Sequence, residues 1–276
     1  MKLIAASEFK ARFEQSPSPV LIDMSQSGQP PVAEAQWIDF NQIVRNEGDR
    51  AGLLPDNDAF NRALAQTGIA PSSTVFLFDD SQGLAASRLA WSLALCGMQE
   101  IYLIDGGREA LLAAGWPLAT APVAHKPASE LTYDFSEHHC QAEAIAEQLG
   151  KQDGWLIIDA RSEEEYRGTD RRSRNAGHIP GAIHFDWQWF FDPEKPGYLL
   201  PDDTIRARLK EKGITAKPNE KKGQTIAVYC QSHRRSSLMF CVLKHLGFED
   251  VRGYPGAWSD WGNRDDLPVE LPEGDS

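Results

Sequence analysis

From Thr225 to Gly247 the sequence reads TIAVYCQSHRRSSLMFCVLKHLG, so that one sulfhydryl, Cys230, is followed at once by Gln231, Ser232, His233, Arg234, Arg235, Ser236 and Ser237. The thiolate, not the thiol, is the nucleophile; a free cysteine has a pKa near ~8.5, and cations or a helix N-terminus bring it toward roughly 4–7. Each unit of such a shift is about 1.4 kcal/mol in favour of the anion. The imidazole of His233 and the guanidinium groups of Arg234 and Arg235 offer that field, and the serine hydroxyls add donors. The expected chemistry is nucleophilic, at a loop built for an anion, with Cys230 and Arg235 as catalytic candidates and Gln231, Ser232, His233, Arg234 and Ser236 lining the loop. Cysteine is also among the residues most often buried inertly. That reading suits Cys96 and Cys241, which lie inside apolar stretches. His138, His139 and Cys140 are adjacent, so their side chains diverge, and no Cys-x-x-Cys pair occurs; no metal site is expected.

The elements that must position Cys230 are a buried strand (TIAVY), a tight loop and a helix. Open α/β sheets place ligands where strand ends face helix starts, because the first helical turn has unpaired N–H groups and a partial positive charge. Short β-branched and aromatic runs alternate with amphipathic stretches along the whole chain, the pattern of βα units around a mainly parallel sheet. One such stretch is Thr204 to Gly213, with Ile205 and Leu209 four apart and Gly213 as cap. The fold class is therefore α/β. The pattern also repeats: VLID (Val20 to Asp23), TVFLFD (Thr74 to Asp79) and IYLIDGG (Ile101 to Gly107) recur in order as LIID (Leu156 to Asp159), TIAVYC (Thr225 to Cys230) and VRGYPGAW (Val251 to Trp258). A period of about 150 residues means duplicated domains rather than a solenoid. The expected division is residues 1–122, a linker at 123–130 in the Pro- and Ala-rich stretch, and residues 131–276. Asp79 aligns with Cys230, and the following DSQGLAAS carries no Arg or His, so the second half alone holds the site. Asp79 itself reads as an exposed loop carboxylate.

Of 276 residues, 28 are Lys or Arg and 40 are Asp or Glu, a net charge of −12 that argues against nucleic-acid binding. No apolar run approaches the ~20 residues of a membrane span. Four scattered cysteines suggest a reducing compartment. The N-terminus MKLIAASEF lacks export features, so a cytoplasmic location is expected.

In LIIDAR (Leu156 to Arg161), GHIPGA (Gly177 to Ala182), CQSHRRS (Cys230 to Ser236) and GYPGAWSDWGN (Gly253 to Asn263), the chain resembles the two-domain rhodaneses, the thiosulfate sulfurtransferases. The resemblance implies two tandem rhodanese-like domains, the first without activity, and a persulfide formed on Cys230. It implies no cofactor, and as partners a small-molecule sulfur donor and acceptor such as thiosulfate and cyanide, or a sulfur-accepting protein. Asp159 and Arg161 become supporting residues that brace each other or the loop, His178 fixes a turn, and Trp258 and Trp261 pack. Arg235 could grip loop carbonyls or an incoming oxyanion.

There are departures. Gln231 and Ser232 stand where thiosulfate-specific loops carry a basic pair, and Glu165 stands where many relatives have an arginine. Ser232 matches a serine of the 3-mercaptopyruvate-specific relatives, but the first-half histidine segment of those enzymes has no counterpart around Gln36 to Phe40, so thiosulfate is the preferred donor. Two other functions compete. Cysteine phosphatases and arsenate reductases place five residues between Cys and Arg, against four between Cys230 and Arg235. A persulfide carrier without turnover would look the same in sequence. All sulfur-transfer readings require a thiol ionised at neutrality and open to solvent.

Overall fold

A computed structural model describes residues 1–26, 28–121, 123–215 and 224–271. The expected limits at Pro122 and Ser276 lie outside the described residues. The chain forms two compact units. One comprises Met1–Arg45, Leu54–Asp134 and Phe191–Leu199, the other Asn46–Leu53, Phe135–Phe190 and Leu200–Ser276. This differs from a single cut at 123–130. The Pro- and Ala-rich composition of that stretch suggested a loose linker, yet its backbone N–H groups at Lys126, Ala128 and Ser129 bond to Gln66, Ala65 and Ile69. Beyond it Leu131 is buried, and Tyr133 packs on Phe60 with ring centroids 5.0 Å apart.

The first unit begins with β1 (Lys2–Ala5), α1 (Ala6–Gln15), β2 (Pro19–Asp23) and β3 (Ala35–Trp37). A short hairpin of β4 (Arg45–Glu47) and β5 (Arg50–Leu53) comes next in the chain, followed by α2 (Asn57–Leu64), β6 (Thr74–Phe78), α3 (Leu84–Leu95), β7 (Ile101–Asp105) and α4 (Gly107–Ala113). The five-stranded sheet runs β1-β7-β6-β2-β3, all parallel. Its core is aromatic: Phe9, Phe13, Phe76 and Trp116 meet at tilted or edge-on angles with centroids 4.8 to 5.6 Å apart, geometry the ring quadrupoles favour.

The second unit contains α5 (Ala142–Ala146), β8 (Leu156–Asp159), α6 (Glu163–Arg167), β9 (Ile183–His184), α7 (Asp202–Glu211), β10 (Ile226–Tyr229), α8 (Arg235–His245), β11 (Val251–Gly253) and α9 (Ala257–Trp261). Its parallel sheet runs β11-β10-β8-β9, the order of β7-β6-β2-β3 in the first unit. Each central strand, β6 or β10, is buried at every residue and feeds a helix, α3 or α8, that is buried on nearly all sides. That is the signature of a strand and helix in the middle of a doubly covered sheet. The amphipathic helix expected at Thr204 to Gly213 starts two residues earlier, because Asp202 and Asp203 suit the positive end of its dipole. It stops where Gly213 takes φ +76° and its N–H bonds to the Lys210 carbonyl.

Candidate active site

Cys230 follows β10, and its surroundings are set by three pieces of backbone. The loop Gln231 to Arg234 turns back over the sulfur, with His233 in the left-handed region at φ +55°. The start of α8 then brings Ser236 to the thiol: its hydroxyl donates to Sγ at 3.4 Å, and the N–H groups of Ser236 and Ser232 also bond the sulfur. Behind the loop, α9 contributes its own N–H groups, Trp258 bonding the Cys230 carbonyl and Ser259 the Gln231 carbonyl, both at 2.9 Å. Burial pushes the Cys230 thiol up. The charge of Arg235, the Ser236 hydroxyl and the loop N–H groups outweigh it, so the pKa falls below the ordinary thiol value. The other three cysteines go the opposite way, Cys96 and Cys140 being pushed by burial up to about 12 and Cys241 above that.

One expectation fails. The sulfhydryl was to be open to solvent, but Cys230 is 1% exposed. The reason is the loop itself, whose N–H groups replace water around the sulfur. The expected cations are also placed differently. His233 is fully buried, and its Nδ1 lies 2.7 Å from Ser236 Oγ, so it orients the hydroxyl that faces the thiol. Arg234 is half-buried just before α8. Arg235 does not hold loop carbonyls. Both of its terminal nitrogens donate to the Glu165 carboxylate, Nη2 to Oε1 at 2.9 Å. Arg172 Nε stands 3.6 Å from the same carboxylate.

Asp159 ends β8, in register with Tyr229, and Arg161 follows two residues on. Arg161 Nε donates to both Asp159 oxygens at 3.0 Å, and Nη2 reaches Asp159 at 2.6 Å and the Gly177 carbonyl at 2.7 Å. The guanidinium lies 4.5 Å over the Trp258 ring. The pair thus ties the strand end to the GHIPGA turn and to α9. In that turn His178 exchanges backbone bonds with Glu270, and its Nδ1 lies 2.9 Å from the Tyr166 carbonyl, so the ring donates there. Its imidazole stacks on Tyr166 at 3.7 Å. Among the described residues no group of three or more His, Cys, Asp or Glu could hold a metal ion.

Three contributors were given no role in the sequence. Glu165 is the first; it stood out there only as a carboxylate where many relatives have an arginine, and the structure places it in a full capping box with Ser162. The second is the β4–β5 hairpin. Ser259 Oγ accepts from the Ala51 N–H at 2.8 Å, and Gly52, at φ +72°, lies so close to the loop that a Cβ would collide with the Ser232 carbonyl oxygen. Glycine at 52 is thus demanded twice, by φ and by contact. The third is an open cleft of about 430 Å³ lined by Arg171, Arg172, Ser173, Arg174, Asp49 and Asn263. It adjoins the cysteine loop, where Gln231 Nε2 lies 3.4 Å from Ser173 Oγ.

The equivalent loop of the first unit holds a carboxylate. Asp79 follows β6 and is 1% exposed, not the exposed group expected. Its Oδ1 accepts from the N–H groups of Ser81 and Gly83 and its Oδ2 from those of Ala85 and Ala86, at 2.7 to 2.9 Å. Gln82 takes φ +59°, matching His233, and the Arg108 N–H bonds the Asp79 carbonyl as Trp258 bonds that of Cys230.

The Rhodanese-like domain family model matches residues 141–264. A thiosulfate sulfurtransferase of Azotobacter vinelandii is 32% identical over 275 residues, covering 98% of this chain and 97% of that one. The sulfur carrier protein TtuD of Thermus thermophilus is 30% identical over 78% of this chain and 77% of its own. Among solved structures, an anaerobic ergothioneine biosynthesis enzyme from Chlorobium limicola superposes with a TM-score of 0.84 at 19% identity, over 99% of this chain and 71% of that one, a likeness of fold.

Proposed function

The chain belongs to the rhodanese family, and from that premise we propose that it is a sulfurtransferase that carries a sulfane sulfur as a persulfide on Cys230. Thiosulfate is the donor and a thiophile such as cyanide the acceptor. The observation that carries this reading is the cradle itself: a buried sulfur held toward its anionic form by the Ser236 hydroxyl, two backbone N–H groups and the charge of Arg235. In the transfer step the Cys230 thiolate attacks the outer sulfur of thiosulfate, a Cys–S–S bond forms, and sulfite leaves with the electron pair of the broken S–S bond. The N–H groups then stabilise the persulfide anion as they stabilised the thiolate. Cyanide attack on the outer sulfur returns the thiolate. Cys230 is 1% exposed, so on this reading the loop has to admit the donor before each transfer. The arginines of the neighbouring cleft favour approach of an anionic donor.

The first unit is, on this reading, a second rhodanese-like domain without a nucleophile, supported by the shared strand order and by Asp79 in place of the thiol. 3-Mercaptopyruvate ranks behind thiosulfate as donor, with Ser232 as its supporting residue. A carrier role, in which the persulfide passes to a partner protein, is favoured by one specific observation, the match to a sulfur carrier protein. Intact-mass spectrometry decides the central claim. Thiosulfate should add one sulfur to the chain and cyanide should remove it; no mass gain overturns the proposal. Steady-state turnover with thiosulfate and cyanide identifies an enzyme, and loading without turnover a carrier.

A further inference from the structure

Glu165 has no place in the transfer step above, yet it is the carboxylate that meets the cysteine loop. Its side chain is 1% exposed on α6, where the Ser162 capping box fixes its backbone and the Ser162 N–H donates to Oε2 at 3.2 Å. Both terminal nitrogens of Arg235 close on it, and Arg172 stands at 3.6 Å. Other charged and titratable groups around this pair are already engaged. Asp159 and Arg161, from β8, close on each other. His184, on β9, bonds the Arg161 carbonyl, and Asp186, just after β9, takes the Gln188 N–H at 3.0 Å. His233 faces Ser236. Arg172 and Asp186 keep their own charges, and against that fixed background the Glu165–Arg235 pair sets the charge carried by the start of α8. Arg235 alone would present a full positive charge beside the sulfur; paired, it presents a dipole whose field falls off faster with distance. A fork already closed on a carboxylate also has fewer hydrogens left for donor oxygens.

We propose that Glu165 sets how strongly this loop discriminates donors by charge: by closing on Arg235 it holds use of the thiosulfate dianion below what an unpaired Arg235 would give and lets singly charged sulfane-sulfur donors of the thiosulfonate class, R–SO2–S⁻, serve beside it. Glu165 is a positioning and specificity-determining residue, and the inference rests on the sulfur-transfer reading. The step balances as before. The Cys230 thiolate bonds the terminal sulfur, the bond from that sulfur to the sulfonyl sulfur breaks, the electron pair leaves on the sulfinate R–SO2⁻, and Cys230–S–S⁻ remains.

The test compares wild type, Glu165→Gln and the double variant Glu165→Gln/Arg235→Gln, each assayed with thiosulfate and with methanethiosulfonate. The readout is the ratio of kcat/KM for the dianion to that for the monoanion, together with the pH at which the thiolate absorbance of Cys230 appears. Glu165→Gln frees one positive charge, so the ratio should rise about tenfold and the thiolate should appear at lower pH. The double variant restores neutrality without leaving a buried charge unpaired, so its ratio should return to within about twofold of wild type. If Glu165→Gln leaves both the ratio and the thiolate titration unmoved, Glu165 is structural and the proposal is wrong. If the double variant loses thiosulfate use more than about tenfold relative to methanethiosulfonate, Arg235 itself holds the dianion and the proposal is again wrong. Should Glu165→Gln fail to fold, the double variant decides. The titration needs no turnover, so a chain that takes up no sulfur from any donor would sink the transfer reading while the titration still judged Glu165.

Discussion

Asp79 and Cys230 end matching strands and enter loops with the same left-handed third residue, Gln82 at φ +59° and His233 at φ +55°. In the first loop a covalently attached carboxylate takes four backbone N–H bonds. In the second, a sulfur takes two, with a hydroxyl donating to it and the charge of Arg235 acting on it. The first loop demonstrates what this backbone wants at its centre, namely an anion. The second fills the same place with a group that is anionic only if the protein makes it so. The strand ends show a parallel contrast. Asp23 is answered by Arg108 from α4 at 2.8 Å, Asp159 by Arg161 two residues along, so the buried acid is common to both units but its counter-charge arrives from different places.

The largest effect that could break this comparison is at the sulfur. Cys230→Ser should reduce thiosulfate-driven sulfur uptake to background, seen as absence of the mass gain, while thermal unfolding changes by only a few degrees, since a hydroxyl of similar size can accept the same N–H groups. A variant that still took up sulfur would place the nucleophile elsewhere. The mirror substitution, Asp79→Ala, should do the reverse: four N–H groups, two of them buried, lose their acceptor, costing about 2–4 kcal/mol of stability in denaturant titration, with sulfur uptake at Cys230 unchanged in the folded protein. A stability change below about 0.5 kcal/mol would mean water serves the loop as well as the carboxylate does.

The smallest effect expected is that of Ser236→Ala. Because the wild-type thiol is lowered below its ordinary value, the thiolate persists through the pH range between the ordinary and the lowered pKa, and uptake should fall only as acid carries the solution through the lowered value. Removing the hydroxyl should move that acid limb to higher pH and slow uptake at neutrality by less than about tenfold. A limb that stayed put would show that the N–H groups and Arg235 suffice.

How much of this was legible in the sequence follows from how far apart the partners lie along the chain. The strand, loop and helix around Cys230, the α/β class and the duplicated frame are local or periodic, and they read directly from spacing. For Asp159 and Arg161, two residues apart, bracing of each other was one of two alternatives left open, the other being the loop. Glu165 and Arg235 are 70 residues apart and Ala51 and Ser259 are 208. Neither pairing leaves a trace in composition or period, so the arginine was read as a partner for loop carbonyls or an incoming oxyanion, not for a carboxylate, and the hairpin was not read at all. The buried state of Asp79 and of Cys230 was missed for a related reason. Sequence shows a polar residue at a strand end, whereas the curl of the loop that encloses it exists only in three dimensions.

The hairpin bears on why the half without the cysteine loop persists in the gene. Residues 46–53 are translated early yet lie in the later unit, and Phe191–Leu199 makes the reciprocal exchange, with the Leu199 N–H bonded to Asp105 at 2.9 Å. Splitting the coding sequence near its midpoint would give a C-terminal product missing the strap over Ser232 and an N-terminal product missing the segment that satisfies Asp105. Neither fragment would inherit a whole domain, so selection acting on sulfur chemistry alone would retain both halves on one polypeptide.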